Sequence, residues 1–136
     1  PMVAADKDKP LPKDFKSLKA LAEKGDARAQ SSLGMMYARG QGVEQDFKEG
    51  FKWFRKAADQ GFANAQYDLG VMNASGRGVA QDYVTAYAWY KVAAANGDTD
   101  AATWKGNTAK QLTPAQIVEA EELVKEMIKK NPKLLK

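Results

Sequence analysis

The sequence has no cysteine and no histidine among its 136 residues. Without cysteine, the chain can form no disulfide, no thiolate nucleophile and no zinc–thiolate site. Without histidine, it lacks the commonest general base and metal ligand of proteins. We therefore predict a protein that is not an enzyme, with no cofactor and no metal site.

Long apolar runs are also missing, since no stretch approaches the roughly 18 consecutive apolar residues that a membrane-spanning helix needs. The formal net charge is +4, but residues 27–104 carry equal numbers of acidic and basic side chains, and the excess lies in the terminal parts. A nucleic-acid surface needs clustered positive charge on one face of the folded body. We therefore expect no integral membrane segment and no nucleic-acid partner.

The central part of the chain repeats itself after 36 residues without a gap. Such a period is typical of solenoid proteins, in which similar helical units stack along one axis. The matched pairs are Ala29-Gln30 with Ala65-Gln66, Leu33-Gly34 with Leu69-Gly70, Gly42-Val43 with Gly78-Val79, Trp53 with Trp89, and Gly61 with Gly97.

Each copy contains two helical patterns separated by a glycine turn. The first, helix A, has apolar residues at i, i+4 and i+8, as at Ala29, Leu33 and Tyr37. Helix B follows an N-cap aspartate, Asp46 or Asp82. We expect a capping box at Asp46, completed by the glutamate three residues later.

Helix B carries two apolar stripes, so it needs two neighbours: its own helix A and the adjacent unit. We therefore predict that the tryptophans of the two B helices, Trp53 and Trp89, are buried. A glycine inside a helix costs about 1 kcal/mol relative to alanine. The recurrence of Gly34 and Gly70 in the interior of helix A therefore predicts a close approach of two helices at that point.

The pattern Ala29-x-x-x-Leu33-Gly34-x-x-Tyr37-x-x-Gly40-x-Gly42-Val43-x-x-Asp46, followed by Trp53-x-x-Lys56-Ala57-Ala58-x-x-Gly61, resembles the Sel-one-like repeat (SLR), a relative of the tetratricopeptide repeat. The resemblance implies an all-α fold, an α–α superhelix of two helix pairs with a capping helix at each end. It also implies a bacterial adaptor whose concave face, formed by the A helices, binds another protein or peptide.

The expected organisation has three parts. Residues 1–12 form a flexible N-terminal tail. Residues 13–112 form the solenoid, with a cap helix at 13–25, repeat one at 26–61, repeat two at 62–97 and a degenerate third unit at 98–112. Residues 113–136 form a C-terminal capping helix, which begins with Thr113 as N-cap, Pro114 at the first helical position and Gln116 two residues later.

The candidate partner-binding residues follow from helical geometry. With Leu33 pointing inward and 100° per residue, one arc of each A helix faces away from the core and has no packing role in this scheme. In repeat one this arc comprises Arg28, Ser31, Ser32, Met35 and Arg39, and in repeat two Asn64, Tyr67, Asp68, Val71 and Ser75. Coverage of these residues by the N-terminal segment or by a neighbouring molecule is an equal alternative.

Two other functions stay open at this stage. One is binding of a cell-wall glycan or a small ligand, suggested by Trp104, which departs from the repeat register. The other is a β-lactam-interacting hydrolase, implied by cysteine-rich relatives in the family. The absence of cysteine and of a Ser-x-x-Lys motif argues against the hydrolase. The resemblance also favours a periplasmic or exported protein over a cytoplasmic one, and we assume a monomer.

Overall fold

The computed structural model describes residues 9–136, so most of the predicted N-terminal tail lies outside the described residues. The described part contains seven α-helices and no strand, which confirms the all-α prediction. The helices are α1 (Phe15–Glu23), α2 (Ala27–Arg39), α3 (Phe47–Asp59), α4 (Ala63–Ser75), α5 (Tyr83–Ala95), α6 (Thr99–Ala109) and α7 (Pro114–Lys130), followed by a short 3-10 turn at Pro132–Leu134.

Successive helices pack against each other along the chain. Helix α2 pairs with α3 and α4 with α5, while α1 packs on α2 and α3 on α4. Each A helix ends at a glycine in the left-handed region, Gly40 at φ 67° and Gly76 at φ 72°. Glycine adopts this conformation without a Cβ clash. The two helix pairs therefore lie side by side as consecutive units of a solenoid.

The B helices begin at the predicted aspartates. The Asp46 carboxylate accepts a hydrogen bond from the Glu49 N–H at 3.1 Å, and Asp82 accepts from the N–H groups of Val84 and Thr85. The reciprocal bond that Glu49 would return in a full capping box is not formed, so that detail of the prediction is wrong. Both halves of a capping box are present at the start of α7.

The helices of each pair meet at the predicted glycines. A Cβ added to Gly34 would lie 2.8 Å from the Phe54 ring, and one added to Gly70 would lie 2.5 Å from the Tyr90 ring. Both distances are far below the 3.5–4.0 Å at which carbon atoms pack. The close approach is therefore confirmed, and it joins the A helix to the B helix of the same unit.

The tryptophans of both B helices are in the core, as predicted. Trp53 is 8 % exposed and Trp89 is 3 % exposed. Trp53 belongs to the cluster that α1 covers through Leu18 and Ala22. Trp89 belongs to the central cluster, which also contains Phe54 of α3 and Leu69 of α4.

Helix α7 packs against α5, the B helix of the second unit. The outer face of α5 carries Val84, Ala88 and Val92 at i, i+4 and i+8, where the corresponding face of α3 carries lysines. Val92 and Val124 of α7 lie in the same buried cluster. The Glu121 carboxylate also accepts hydrogen bonds from Tyr87 Oη and Lys91 Nζ. This third apolar stripe is the docking surface for α7.

The C-terminal residues after α7 pack between the two helix pairs. The Asn96 side chain donates to the Leu134 carbonyl at 2.7 Å and accepts from the Lys136 N–H at 2.9 Å. Gln66 donates to the same Leu134 carbonyl at 2.9 Å. Helix α7 ends at Lys130, before the end of the predicted 113–136 helix, because the following proline disfavours the helical conformation at the residue before it.

Candidate functional site

A groove of about 400 Å³ opens between α4 and α6, with α5 as its floor. No charged side chain of residues 9–136 lines it. The lining residues are Tyr67, Val71, Ala74 and Ser75 of α4, Tyr83 and Tyr90 of α5, and Trp104, Asn107 and Thr108 of α6, with Gln111 just after that helix.

The groove exists because the third unit lacks the glycine loop of the first two. Between the first and second units, the Arg77 guanidinium lies over the Phe47 ring at 5.5 Å, and Gly78 packs on the Phe47 carbonyl. The residue one period after Phe47 is Tyr83, and the residue one period after Arg77 is Thr113. Thr113 instead caps α7, so no loop residue covers Tyr83.

Trp104 forms the outer wall of the groove and is 48 % exposed. It stands one period after Asp68, a position at which the other two units have short polar side chains. The Thr108 hydroxyl donates to the Trp104 carbonyl at 2.7 Å within α6. A half-exposed indole on a fixed helix offers a large apolar surface to a ligand.

Tyrosines form the base of the groove. The rings of Tyr67 and Tyr90 are 5.8 Å apart and tilted by 43°. Burial raises the pKa of Tyr90 to about 12, so its hydroxyl is neutral at physiological pH. The Tyr83 hydroxyl accepts a hydrogen bond from Gln81 at 3.2 Å. These contacts hold the aromatic rings in place before any ligand arrives.

Carboxylates surround the end of the groove at Tyr67. Burial raises the pKa of the Tyr67 hydroxyl, and the negative charges of Asp100, Asp68 and Asp98 raise it further. Burial also raises the pKa of Asp68 to about 7, with Asp98 adding to the shift and Arg39 opposing it. The groove is therefore apolar along its length and acidic at one end.

The predicted residues of repeat two lie at or near this site, and those of repeat one do not. Tyr67, Val71 and Ser75 line the groove, and Asp68 lies beside it. Asn64 is exposed at the start of α4, outside the lining. The prediction that this arc has no packing role is wrong for Tyr67 and Val71, because α6 follows α4 and both side chains pack against the buried cluster around Tyr90 and Ala101.

In repeat one, two of the predicted outward residues are part of the interior. Ser31 is buried, and Met35 packs against the central cluster that contains Leu69 of the next unit. The geometry of one isolated helix does not include the neighbouring pair, against which Met35 packs. Ser32 is half-buried and Arg39 is exposed.

The N-terminal segment reaches the face of repeat one. The Arg28 guanidinium donates to the Lys9 carbonyl at 3.2 Å, and Leu11 packs against the cluster of α1 and α2. Residues 9–12, predicted as part of a flexible tail, therefore contact the folded body. The alternative that this segment covers the A-helix face holds at Arg28.

Six of the ten lining residues were not predicted from the sequence: Ala74, Tyr83, Tyr90, Asn107, Thr108 and Gln111. Tyr83 and Tyr90 belong to the apolar stripes of helix B, Ala74 lies outside the outward arc of α4, and the other three lie where the repeat decays. The signal that could have found them is the loss of the Gly-x-Gly-Val loop after α6, which leaves Tyr83 without a cover.

No three acidic side chains in residues 9–136 lie together in an arrangement that could hold a metal ion. Within the same residues, no helix is long and apolar enough to cross a membrane.

Comparison with known proteins identifies the family to which the repeats belong. The family model described as Sel1 repeat matches residues 27–62 and 63–98, more than half of the chain. The chain belongs to the Sel1 repeat family. The comparison with curated proteins gives no match.

Two solved structures of Sel1 repeat proteins are similar to this chain. One is c5321, a protective antigen of uropathogenic Escherichia coli strains that displays an SLR fold, with 37 % identity and a TM-score of 0.82 over 88 % of this chain and 26 % of that one. The other is a Sel1 repeat protein from Oxalobacter formigenes, with 37 % identity and a TM-score of 0.65 over 68 % of this chain and 38 % of that one. This chain therefore spans well under half the length of either relative.

Proposed function

We propose that the chain is a non-catalytic adaptor that binds a segment of another protein in the groove between α4 and α6. The observation that carries this proposal is the half-exposed Trp104, which stands over a base of fixed tyrosines. Tryptophan and tyrosine are the residues that most often dominate the binding energy of protein interfaces. Tyr67, Val71 and Ser75 contribute the wall opposite Trp104.

The proposed contact surface is smaller than the sequence suggested. It uses the A helix of repeat two and the helix of the degenerate third unit, whereas Arg28, Ser32 and Arg39 of repeat one lie outside the groove lining. The wall on α6 also offers the side-chain amides of Asn107 and Gln111, which can pair with the backbone of a bound segment.

The test is capture of partners from native extract by the full chain and two variants. Trp104→Ala removes the wall of the groove, and its partly exposed side chain makes a small contribution to stability. Asn64→Ala is the matched control, since Asn64 is exposed on α4 but does not line the groove. We expect the wild type and the control to capture the same proteins, which Trp104→Ala loses. Equal capture by all three would refute the proposal.

A cell-wall glycan is the second candidate, favoured by the same indole with amides beside it. Because Trp53 and Trp89 are buried, a change of tryptophan fluorescence on ligand binding would come mainly from Trp104. Titration with peptidoglycan fragments therefore separates the two functions. A saturable change that disappears in Trp104→Phe would favour the glycan, and no change would favour the adaptor.

A further inference from the structure

The acidic end of the groove contains carboxyl groups that no cation of the described residues contacts directly. In the part of the chain from residue 9 onward, neither Asp68 nor Asp100 forms a hydrogen bond or an ion pair within 4.0 Å. Asp98 caps α6 by accepting from the Ala101 N–H at 2.9 Å, which leaves its charge in place. These three carboxylates come from two neighbouring helices, α4 and the start of α6.

Among the described residues, carboxyl groups outnumber cationic groups around this end of the groove. Arg39, at the end of α2, is the cation that acts on Asp68, and Asp98 faces it from the start of α6. Arg39 is itself exposed to solvent. Near neutral pH the carboxylates of Asp98 and Asp100, with the partly ionised carboxyl of Asp68, whose pKa burial raises to about 7, therefore outnumber this exposed guanidinium. Among residues 9–136, the lining of the adjoining groove adds no lysine or arginine.

The acidic end favours a positively charged group, and the apolar part of the groove determines the second property that a ligand needs. Its base and walls are the rings of Tyr67, Tyr83, Tyr90 and Trp104 with the Val71 side chain. Such a surface takes a large aliphatic or aromatic side chain, whose burial contributes about 25 cal/mol per Å² of apolar area. A ligand that fits the whole site needs an apolar group and, next to it, a positive charge.

We propose that the groove binds an extended peptide segment in which a lysine or arginine neighbours a large apolar residue. The apolar side chain lies between Trp104 and the tyrosines, and the cation lies against Asp68 and Asp100. This inference rests on the proposed adaptor function and adds the chemistry of the partner. Charge complementarity of this kind excludes acidic segments, because juxtaposed like charges cost free energy.

The test is selection of peptides from a random phage-displayed dodecapeptide library on the full-length chain. The library is first depleted on Trp104→Ala to remove peptides that bind elsewhere. The affinities of the selected peptides are then measured for the wild type, for Asp68→Asn/Asp100→Asn and for Glu126→Gln. Glu126 is the matched control, an exposed carboxylate on α7 that lies outside the groove.

We expect the selected peptides to contain Lys or Arg within two residues of a large apolar residue. The double variant should bind them about tenfold more weakly, with a smaller loss at high salt, because salt screens partly exposed charges. Glu126→Gln should bind like the wild type. Replacing the peptide's lysine by norleucine should remove the difference between the wild type and the double variant.

Two other results would contradict one or both proposals. Peptides that depend on Trp104 but show no preference for Lys or Arg, or that bind the double variant equally well, would overturn this inference and leave the adaptor function standing. Selection of no Trp104-dependent peptide would overturn both.

Discussion

Replacement of Gly70 by alanine should destabilise the fold, although alanine is the better helix former. In a free helix the change is worth about 1 kcal/mol in favour of alanine. The added Cβ would lie 2.5 Å from two atoms of the Tyr90 ring, at least about 1 Å closer than carbon atoms pack. Tyr90 is 2 % exposed and its ring contacts Tyr67, so relief of the clash requires the ring to shift against Tyr67 or into the groove that it lines.

The expected loss follows from these opposing effects. Overpacking of a close-packed core costs about 1–3 kcal/mol, which outweighs the helix-propensity gain. We expect Gly70→Ala to lower the free energy of unfolding by about 1–2 kcal/mol, and Gly70→Val to lower it by about 3 kcal/mol or more. Urea denaturation followed by far-UV circular dichroism measures both values.

Gly106 is the matched control for this experiment. It lies inside α6 with a helical backbone, and a Cβ added there would meet nothing within 4 Å. Gly106→Ala should therefore stabilise the chain by about 0.5–1 kcal/mol. If Gly70→Ala stabilised by the same amount, the close helix approach would not constrain the fold and the reasoning would fail.

Three further predictions concern the site and the C-terminal part. Burial raises the pKa of Asp68 from 3.8 to about 7. Between these two pH values the folded state holds a proton that the unfolded state has lost. The free energy of unfolding therefore falls as pH rises through this window, by at most about 4 kcal/mol. Asp68→Asn should remove that fall in melts from pH 4 to 8, and unchanged curves would contradict it. Val92→Lys should cost about 2–4 kcal/mol by placing a charge under α7, whereas Lys56→Val at the matching exposed position should change little. Leu134→Ala should cost about 2–3 kcal/mol, and an unchanged urea midpoint would show that the C-terminal turn does not contribute to stability.

Repetition made most of the fold predictable. The 36-residue period located both helix pairs, their glycine turns and the buried tryptophans, because each of these features depends on contacts that recur in every unit. The surface on which the predicted capping helix docks was not predicted, since it depends on one position series that differs between units. Where α3 has Lys48, Lys52 and Lys56, α5 has Val84, Ala88 and Val92. A face on which the two repeats differ in this way packs against an element that has no counterpart in the other repeat, here α7.

The candidate site was predicted only in part, for a related reason. An outward arc on one helix becomes an accessible surface only if the next unit leaves it open. Ser31 is buried and Met35 packs against the cluster that contains Leu69 of the second unit, whereas α6 leaves Tyr67 and Val71 partly accessible. The periodic pattern carries no information on the third unit, because the pattern decays there.

The groove is thus a consequence of interrupted repetition. In the complete second unit, the loop residue Arg77 covers Phe47 of the first. At the third unit the chain turns into α7 at Thr113, which leaves Tyr83 uncovered, and Trp104 replaces the short polar residue of the earlier units. A glycine loop grafted after α6 should close the groove and abolish peptide binding while leaving the two helix pairs intact. Retained binding by such a graft would place the partner site elsewhere.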